Sequence, residues 1–453
     1  ILLTLTILQL SMGFFKELLG IPLSFFQGAD LSLTILFYGG FVAGAILFSL
    51  YPALLFSNIK LSTITKGKSK RSRSGLMLRK VLMVFQFAIA LLLIIGTVTI
   101  YKQLRYMQNE SLGMNLDQTL VVKKPFTNQS ERAGNQAAFI NGVKQLSGID
   151  MVSASSEIPG QEISYMRWIA LGTLRDSKAL SAKLISVDEY FTDLFEIDVL
   201  YGRSFKPEFV DTAAVVLNLS AAKELFGQDA DFGSWINQTI YYELAPVKLV
   251  GIINDISQQS LKMNTEPHIY MKHNRVRYYT LKLSTTDYQQ KIEEVRSVFD
   301  RSFASSYFDY FFLDEYFNRQ YSRDRSFGNI FSFFSILAIV VTMLGLFGLS
   351  LYSISQRKKE VSIRKVLGAS FKNLSVLLSK QYFVLIFWSA LVAIPSAYYL
   401  VALWLENFAN HITLNPILFV APLALVLSIA LLTVAYQVTK SALANPADTL
   451  RWE

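Results

Sequence analysis

Five stretches of this chain carry no charged side chain for twenty residues or more: 31–57, 81–100, 331–355, 382–405 and 416–439. A helix needs about 20 residues to cross a hydrocarbon core of roughly 30 Å, so each stretch is long enough to span a membrane. Core helices of soluble proteins rarely stay free of charge for so long. With 52% apolar and only 17% charged residues, the composition is also more apolar than that of most soluble domains. The chain opens at Ile1 inside a shorter apolar stretch, residues 1–10, without the basic flank and small-residue cleavage site of a signal peptide. It reads as the end of a transmembrane helix belonging to a longer protein.

Charge fixes the orientation. Residues 102–325 hold 25 Lys+Arg against 28 Asp+Glu, while the remainder holds 18 against 6. Most of that excess sits in two short loops. One holds Lys60, Lys66, Lys68, Lys70, Arg71, Arg73, Arg79 and Lys80; the other holds Arg357, Lys358, Lys359, Arg364, Lys365 and Lys372. The loop 406–415 has no Lys or Arg. Positive loops stay in the cytoplasm, which puts both basic loops inside and the loop 406–415 and residues 102–325 outside. A basic run such as 66–73 can bind nucleic acid, but beside two spans it reads as an anchor to anionic membrane lipid, with no nucleic-acid role. The absence of cysteine means that the outer region folds without disulfides.

That outer region alternates two periodicities. Strand-like runs lie at 119–123, 151–155, 183–187, 213–217, 248–253, 268–271, 278–283 and 309–313, and helical runs at 131–146, 220–226 and 287–303. Its first and last parts share a strand, helix, strand pattern, which predicts one sheet built from both ends with an inserted second lobe between them. The expected fold is an α-helical membrane protein with a two-lobed α+β domain outside the membrane. Residues 51–66 and 436–451 match at a constant offset, each beginning with a Tyr that closes a span, as in a duplicated membrane unit.

Signals for chemistry are thin. His268 and His273 are five apart around a strand-like run, a spacing that suits neither a helical metal pair nor a zincin, and both read as surface histidines; the third is His411. Gly67-Lys68-Ser69 resembles the end of a phosphate loop, but Ser62 stands where its first Gly belongs and no strand precedes it. Asp314 and Glu315 are adjacent, so on a helix they diverge by about 100°. No catalytic residue, metal or cofactor is expected.

The inner segment 356–370, QRKKEVSIRKVLGAS, is the informative one. Ile363, Val366 and Leu367 form one helical stripe, Glu360 and Arg364 pair in the favoured order, and Gly368 is a natural stop. Such a short amphipathic helix suits either the lipid headgroups or a docking surface for a protein partner. Residues 314–354 can form one helix of about 60 Å, about twice the hydrocarbon thickness, and residues 101–109 extend the earlier span outward. Both helices suit transmission of movement, or a rigid stalk. Gly40 with Gly44, and Gly345 with Gly348, suggest close helix packing, and Pro395 a kink.

Residues 357–370, RKKEVSIRKVLGAS, resemble the RxKEIGIRKVLGAS signature of FtsX-like permeases, with Val361 and Ser362 in place of Ile-Gly. Asn445-Pro446-Ala447 with Leu450-Arg451 resembles the family's terminal NPxxxLR, whereas the first copy has Leu61 at the Pro position. The outer pieces SEIPG (156–160), 187–205 ending in GRSF, LFG (225–227), VGIIND (250–255) and LDE (313–315) resemble a MacB-type periplasmic core domain.

The resemblance implies a bacterial inner-membrane, multi-pass permease of the ABC type with a large periplasmic domain. Residues 1–57 would end a first permease half and 58–80 form a cytoplasmic linker. Residues 81–101 would be a span and 102–325 the periplasmic core domain, with its inserted lobe at about 160–275. Residues 326–440 would be the three-span FtsX-like part and 441–453 a cytoplasmic tail. It implies a dimer, or an intrachain pseudo-dimer, of permease halves. Glu360, Ile363, Arg364, Lys365, Val366, Leu367 and Gly368 would be a coupling helix that docks on a separate cytoplasmic ABC ATPase, which would make this chain no enzyme itself. A periplasmic adaptor or enzyme is a further partner the family implies. The implied function is ATP-driven motion of the outer domain for efflux or envelope export; the alternative is signalling that activates a periplasmic enzyme or senses a ligand without transport.

The topology is testable against a blank background, since the chain has no native cysteine. A membrane-impermeant thiol reagent should label Glu131→Cys in intact cells and Arg364→Cys only after permeabilisation; equal labelling of both would refute the orientation.

Overall fold

A computed structural model describes residues 73–125, 132–172, 178–272, 275–304, 306–356, 363–364 and 371–443, together with 6, 12–14, 16, 36, 39–46 and 49–50. Most of the first apolar run, the basic loop 58–72 and the repeat copies at 51–66 and 444–451 lie outside the described residues, as does His273. The chain divides into two units, one holding the membrane helices, the other residues 104–323 with 406–412.

The first unit is built from α1 (Arg73–Asn109) and three later long helices. Among the described residues four helices are long and apolar enough to cross a membrane: Met77–Gln108, Leu313–Ser353, Ser379–Leu405 and Ile417–Tyr436. Phe87, Leu91 and Ile94 of α1 pack with Leu346, Tyr382, Ile386, Val426 and Ala430 in one apolar core.

In the second unit, β1 (Thr119–Lys123), α2 (Arg132–Lys144) and β2 (Ile149–Ser155) open the first lobe. The second lobe follows. It comprises β3 (Met166–Ala170), β4 (Ala179–Val187), α3 (Phe191–Leu194), β5 (Val199–Gly202), β6 (Ala214–Asn218) and α4 (Leu219–Phe226), then β7 (Thr239–Tyr242), β8 (Ala245–Ile253) and β9 (His268–Lys272). The chain returns to the first lobe through β10 (Tyr278–Leu283), α5 (Tyr288–Ser302) and β11 (Tyr310–Phe312). It continues as α6 (Leu313–Asn318), a 3₁₀ turn Arg319–Tyr321, α7 (Ser322–Gln356), α8 (Phe371–Leu405) and α9 (Ile417–Leu443).

The first lobe has the order β11-β1-β10-β2, all antiparallel, so both ends of the domain share one sheet as the sequence pattern predicts. Apolar side chains of α2 and α5 cover it, with Phe139 at the centre: Phe139 is fully buried and its ring lies 4.9–5.8 Å from those of Tyr279, Phe299 and Phe303. The second lobe closes on itself. β4 pairs with β3 through its first half and with β9 through its second, and the path β3-β7-β8-β6-β9 completes a six-stranded ring. Its core holds Ile169, Leu184, Val215, Leu217, Ile240, Leu249 and Ile269, with Ala221 and Leu225 of α4 packed among them. β5 joins outside the ring, on β8. A Cβ on Gly251 would stand 2.0 Å from the Arg203 carbonyl oxygen, so only glycine allows this crossing.

β3, β5 and β7 are absent from the runs visible in the sequence. Each is only four or five residues long; β5 is exposed throughout, β3 buries two of its residues and β7 one, so each is too short and too mixed to show a clear period. The helix expected over 314–354 is interrupted by the 3₁₀ turn Arg319–Tyr321. Pro395 and Pro422 both stay inside helices.

His268, read from the sequence as a surface residue, is fully buried at the start of β9. Asn218 and the segment before β9 cover it: the Asn218 side chain accepts the His268 N–H at 2.8 Å and donates to the Glu266 carbonyl at 2.9 Å. Neither ring nitrogen finds a hydrogen-bond partner. Burial, with Lys183 a lesser cause, lowers the imidazole to about 4. Asp188 has the opposite fate. It sits just past β4, at the single residue pair joining β2 to β4, Ser155 with Val187. Its carboxylate accepts the Ser153 hydroxyl at 2.6 Å and the Ala154 N–H at 2.7 Å, both from β2, and the Tyr190 N–H at 3.1 Å. These donors favour the charge, but burial outweighs them and, helped by Glu189, raises the group to about 6.

Two stability tests follow from this packing. Phe139→Ala should cost about 3–5 kcal/mol, read as a lower melting temperature of the outer domain in the detergent-solubilised protein; an unchanged melting curve would contradict the assigned core. The two titrations act in opposite directions. Asp188, raised, contributes stability that is present below about pH 4 and lost as pH rises through 6. His268, lowered, contributes stability that is present above about pH 6.5 and lost as pH falls through 4. Asp188→Asn should therefore make the domain lose up to about 3 kcal/mol relative to the parent between pH 6 and pH 4, and His268→Leu should tilt the same profile the other way. Parallel pH profiles for parent and both variants would refute the assignment.

Candidate functional site

Two features bear on function: the inner segment, and the helices that leave the membrane for the outer domain. Of the inner residues, Glu360, Lys365, Val366, Leu367 and Gly368 lie outside the described residues. Ile363 and Arg364 are helical and exposed, Ile363 at 53%.

The helices are better defined. α1 and α7 run antiparallel and touch at regular steps. From the inner side outward, the Arg79 guanidinium lies 4.5 Å over the Tyr352 ring. Gly345 faces Gln86 so closely that a Cβ would stand 2.7 Å from its Oε1. Thr97 and Ser335 share a hydroxyl hydrogen bond of 2.8 Å, Gly96 abuts the Phe331 ring, and the Tyr101 hydroxyl donates to Asn329 at 3.1 Å. From Arg79 to Tyr101 the contacts advance along α1 while they retreat over a similar length of α7, from Tyr352 to Asn329. In hydrocarbon, helices gain no hydrophobic drive to associate, so small residues and interhelical hydrogen bonds fix the contact. α8 is pinned to α1 in the same way: the Ser389 hydroxyl lies 2.9 Å from the Val84 carbonyl oxygen and 2.8 Å from that of Leu385 in its own helix.

α1 spans 37 residues and α7 35, about 55 and 52 Å at 1.5 Å per residue, well beyond a hydrocarbon core of about 30 Å. Of the glycines singled out in the sequence, Gly345 makes a close contact. Gly40, Gly44 and Gly348 have nothing within 4 Å of a Cβ among the described residues. Sequence reasoning missed the polar contacts Thr97–Ser335 and Tyr101–Asn329, whose only advance signal was a hydroxyl or amide inside an apolar run.

The short motifs of the outer domain resolve into structural pins. In GRSF, Gly202 takes a φ of +72°, and Arg203 forks onto Asp211 at 2.7 and 2.8 Å while covering the Phe209 ring at 3.8 Å. In SEIPG, Glu157 pairs with Arg277 at 3.1 Å; burial raises its carboxyl and Arg277 opposes that rise. In VGIIND, the Asp255 carboxylate accepts the Ser220 N–H and hydroxyl at 2.9 and 2.7 Å at the start of α4. Gly227 of LFG ends α4 at φ +111°. Asp314 and Glu315 stand in the first turn of α6, where negative charge suits the helix dipole. Among the described residues no three His, Asp or Glu side chains gather in a way that could hold a metal ion.

Two family models match the chain: the FtsX-like permease C-terminal region over residues 332–446 and the MacB-like periplasmic core domain over residues 81–298. No curated protein sequence matches it. Among solved structures, the periplasmic region of MacB from Actinobacillus actinomycetemcomitans is similar at 16% identity and a TM-score of 0.33, covering 45% of this chain and 92% of that one. The extracellular domain of the ABC-type transporter YknZ from Gram-positive bacteria is similar at 15% identity and a TM-score of 0.30, covering 42% and 97%. The family matches, rather than these distant structures, carry the assignment. Together they run from the first stalk helix to the last span, in the order that the fold shows: the chain belongs to the FtsX-like permeases of ABC transporters that carry a MacB-like periplasmic core domain.

Proposed function

We propose that this permease couples ATP hydrolysis by a separate cytoplasmic ABC ATPase to movement of its periplasmic domain, in the service of efflux or envelope export. The observation that carries this reading is the antiparallel pair α1 and α7, locked by side chains from Arg79–Tyr352 to Tyr101–Asn329. A pair of helices fixed at both ends transmits a push as a unit, whereas loosely packed helices would absorb it by sliding.

On the inner side, Glu360, Ile363, Arg364, Lys365, Val366, Leu367 and Gly368 are the residues assigned to the ATPase contact. An apolar stripe from Ile363, Val366 and Leu367 would enter a groove of the partner, as amphipathic helices do, and Arg364 and Lys365 would meet acidic groups around it. The exposure of Ile363 supports an external partner for this segment. Lipid headgroups satisfy the same basic residues between encounters.

Charge reversal separates the two roles. Arg364→Glu with Lys365→Glu should abolish co-purification of the ATPase from detergent extracts and reduce coupled ATP hydrolysis at least about tenfold, the scale of losing a buried charged contact worth 2 kcal/mol or more. Membrane insertion should be unaffected. Unaltered complex formation and unaltered hydrolysis would eliminate the docking role.

A further inference from the structure

The connection from β8 to β9 includes residues 256–263, an irregular segment with neither strand nor helix. It is nonetheless heavily tied. The Ser257 N–H donates to the Leu112 carbonyl at 2.9 Å, three residues beyond the end of α1. The neighbouring Gly113, at φ +73°, stands so close that a Cβ would lie 2.3 Å from the Asp255 carbonyl oxygen. The Leu261 N–H donates to the hydroxyl of Tyr321 at 3.2 Å, and Tyr321, 2% exposed, immediately precedes α7. The Lys262 carbonyl accepts the Ala409 N–H at 2.8 Å while its ammonium lies 5.0 Å over the Phe408 ring; both partners belong to the loop joining α8 to α9. Gln258 adds a tie to the first lobe: its carbonyl accepts the Gly160 N–H and its side-chain amide donates to the Ile158 carbonyl, each at 2.7 Å. Gly160 in turn abuts the ring of Tyr316 in α6.

The chain thus meets one eight-residue segment on leaving α1, before entering α7, and again between α8 and α9. We propose that residues 256–263 are the relay by which displacement of the spanning helices moves the second lobe, with Gln258, Tyr321 and Phe408 as its positioning residues. This rests on the coupling function proposed above and names the element that performs it.

Three physical features suit the segment to the task. Its ties are directional hydrogen bonds of 2.7–3.2 Å, each involving at least one backbone group, which weaken steeply when stretched or bent, so a shift at Leu112 or Tyr321 drags the segment along. It lies outside every sheet ladder, so it moves without unpairing strands. A small cavity of about 20 Å³ borders it, lined by Gln258, Ser260, Met263, Glu266 and the buried His268, so its packing on that side is incomplete.

The test uses the full chain with its ATPase in lipid nanodiscs and two spin-label pairs. Lys102→Cys with Asp300→Cys reports on the locked α1–α7 pair against the first lobe, and Asp229→Cys with Asp300→Cys reports on the second lobe against the first. In the parent, ATP should change both distances. In Gln258→Met, Tyr321→Phe and Phe408→Leu the first change should persist while the second shrinks severalfold. Tyr321→Phe removes one hydroxyl and keeps the buried ring, so at least one variant retains the packing. A lobe movement unaltered in all three variants overturns the relay, as does a parent whose α1–α7 pair responds while its lobes do not. If neither pair responds in the parent, the coupling function itself fails and the relay with it.

Discussion

A hydrocarbon core offers no water to backbone amides, so every span of this chain must satisfy its own hydrogen bonds as a helix. The other features follow from that constraint. Helices without hydrophobic attraction for one another need small residues and polar contacts to settle in one register, which is the part Gly345, Thr97, Ser335, Tyr101 and Asn329 play between α1 and α7. Once the register is fixed, two helices longer than the membrane is thick carry it into the aqueous phase, where a domain can be built on their ends.

That domain is held by means its sequence only half discloses. The helices α4 and α5 and the strands of the first lobe are legible because they are amphipathic or continuously apolar; Leu120–Val122 and Tyr279–Leu281 are buried almost without break. The two-lobed plan is legible for a related reason: its two ends repeat one pattern. β3, β5 and β7 are not, because a strand of four or five residues with at most two buried side chains differs little from a loop until its neighbours are known. His268 shows the same limit for a single residue. Its burial depends on Asn218, fifty positions away, and on the segment before β9, and no local window holds that information.

The family motifs teach a parallel lesson. GRSF, SEIPG, LFG and VGIIND carry the family resemblance as strings, and in the fold their residues cap helices, fork onto a neighbouring carboxylate, or turn where a side chain would collide. They specify the shape of the domain rather than a reaction. The inner segment differs: Ile363 is exposed on a helix, and the amphipathic pattern around it in the sequence suits a surface helix.

Closure of the second lobe has its own consequence. In an open sheet, strands can slide past one another at the edges. In a ring, slipping one strand by a residue would turn its inward side chains outward and force every other strand to follow. The six strands from β3 to β9 therefore have no soft internal mode by which to dissipate a load applied at one point. A load on the segment between β8 and β9, if it reached the ring, would therefore turn the lobe as one body.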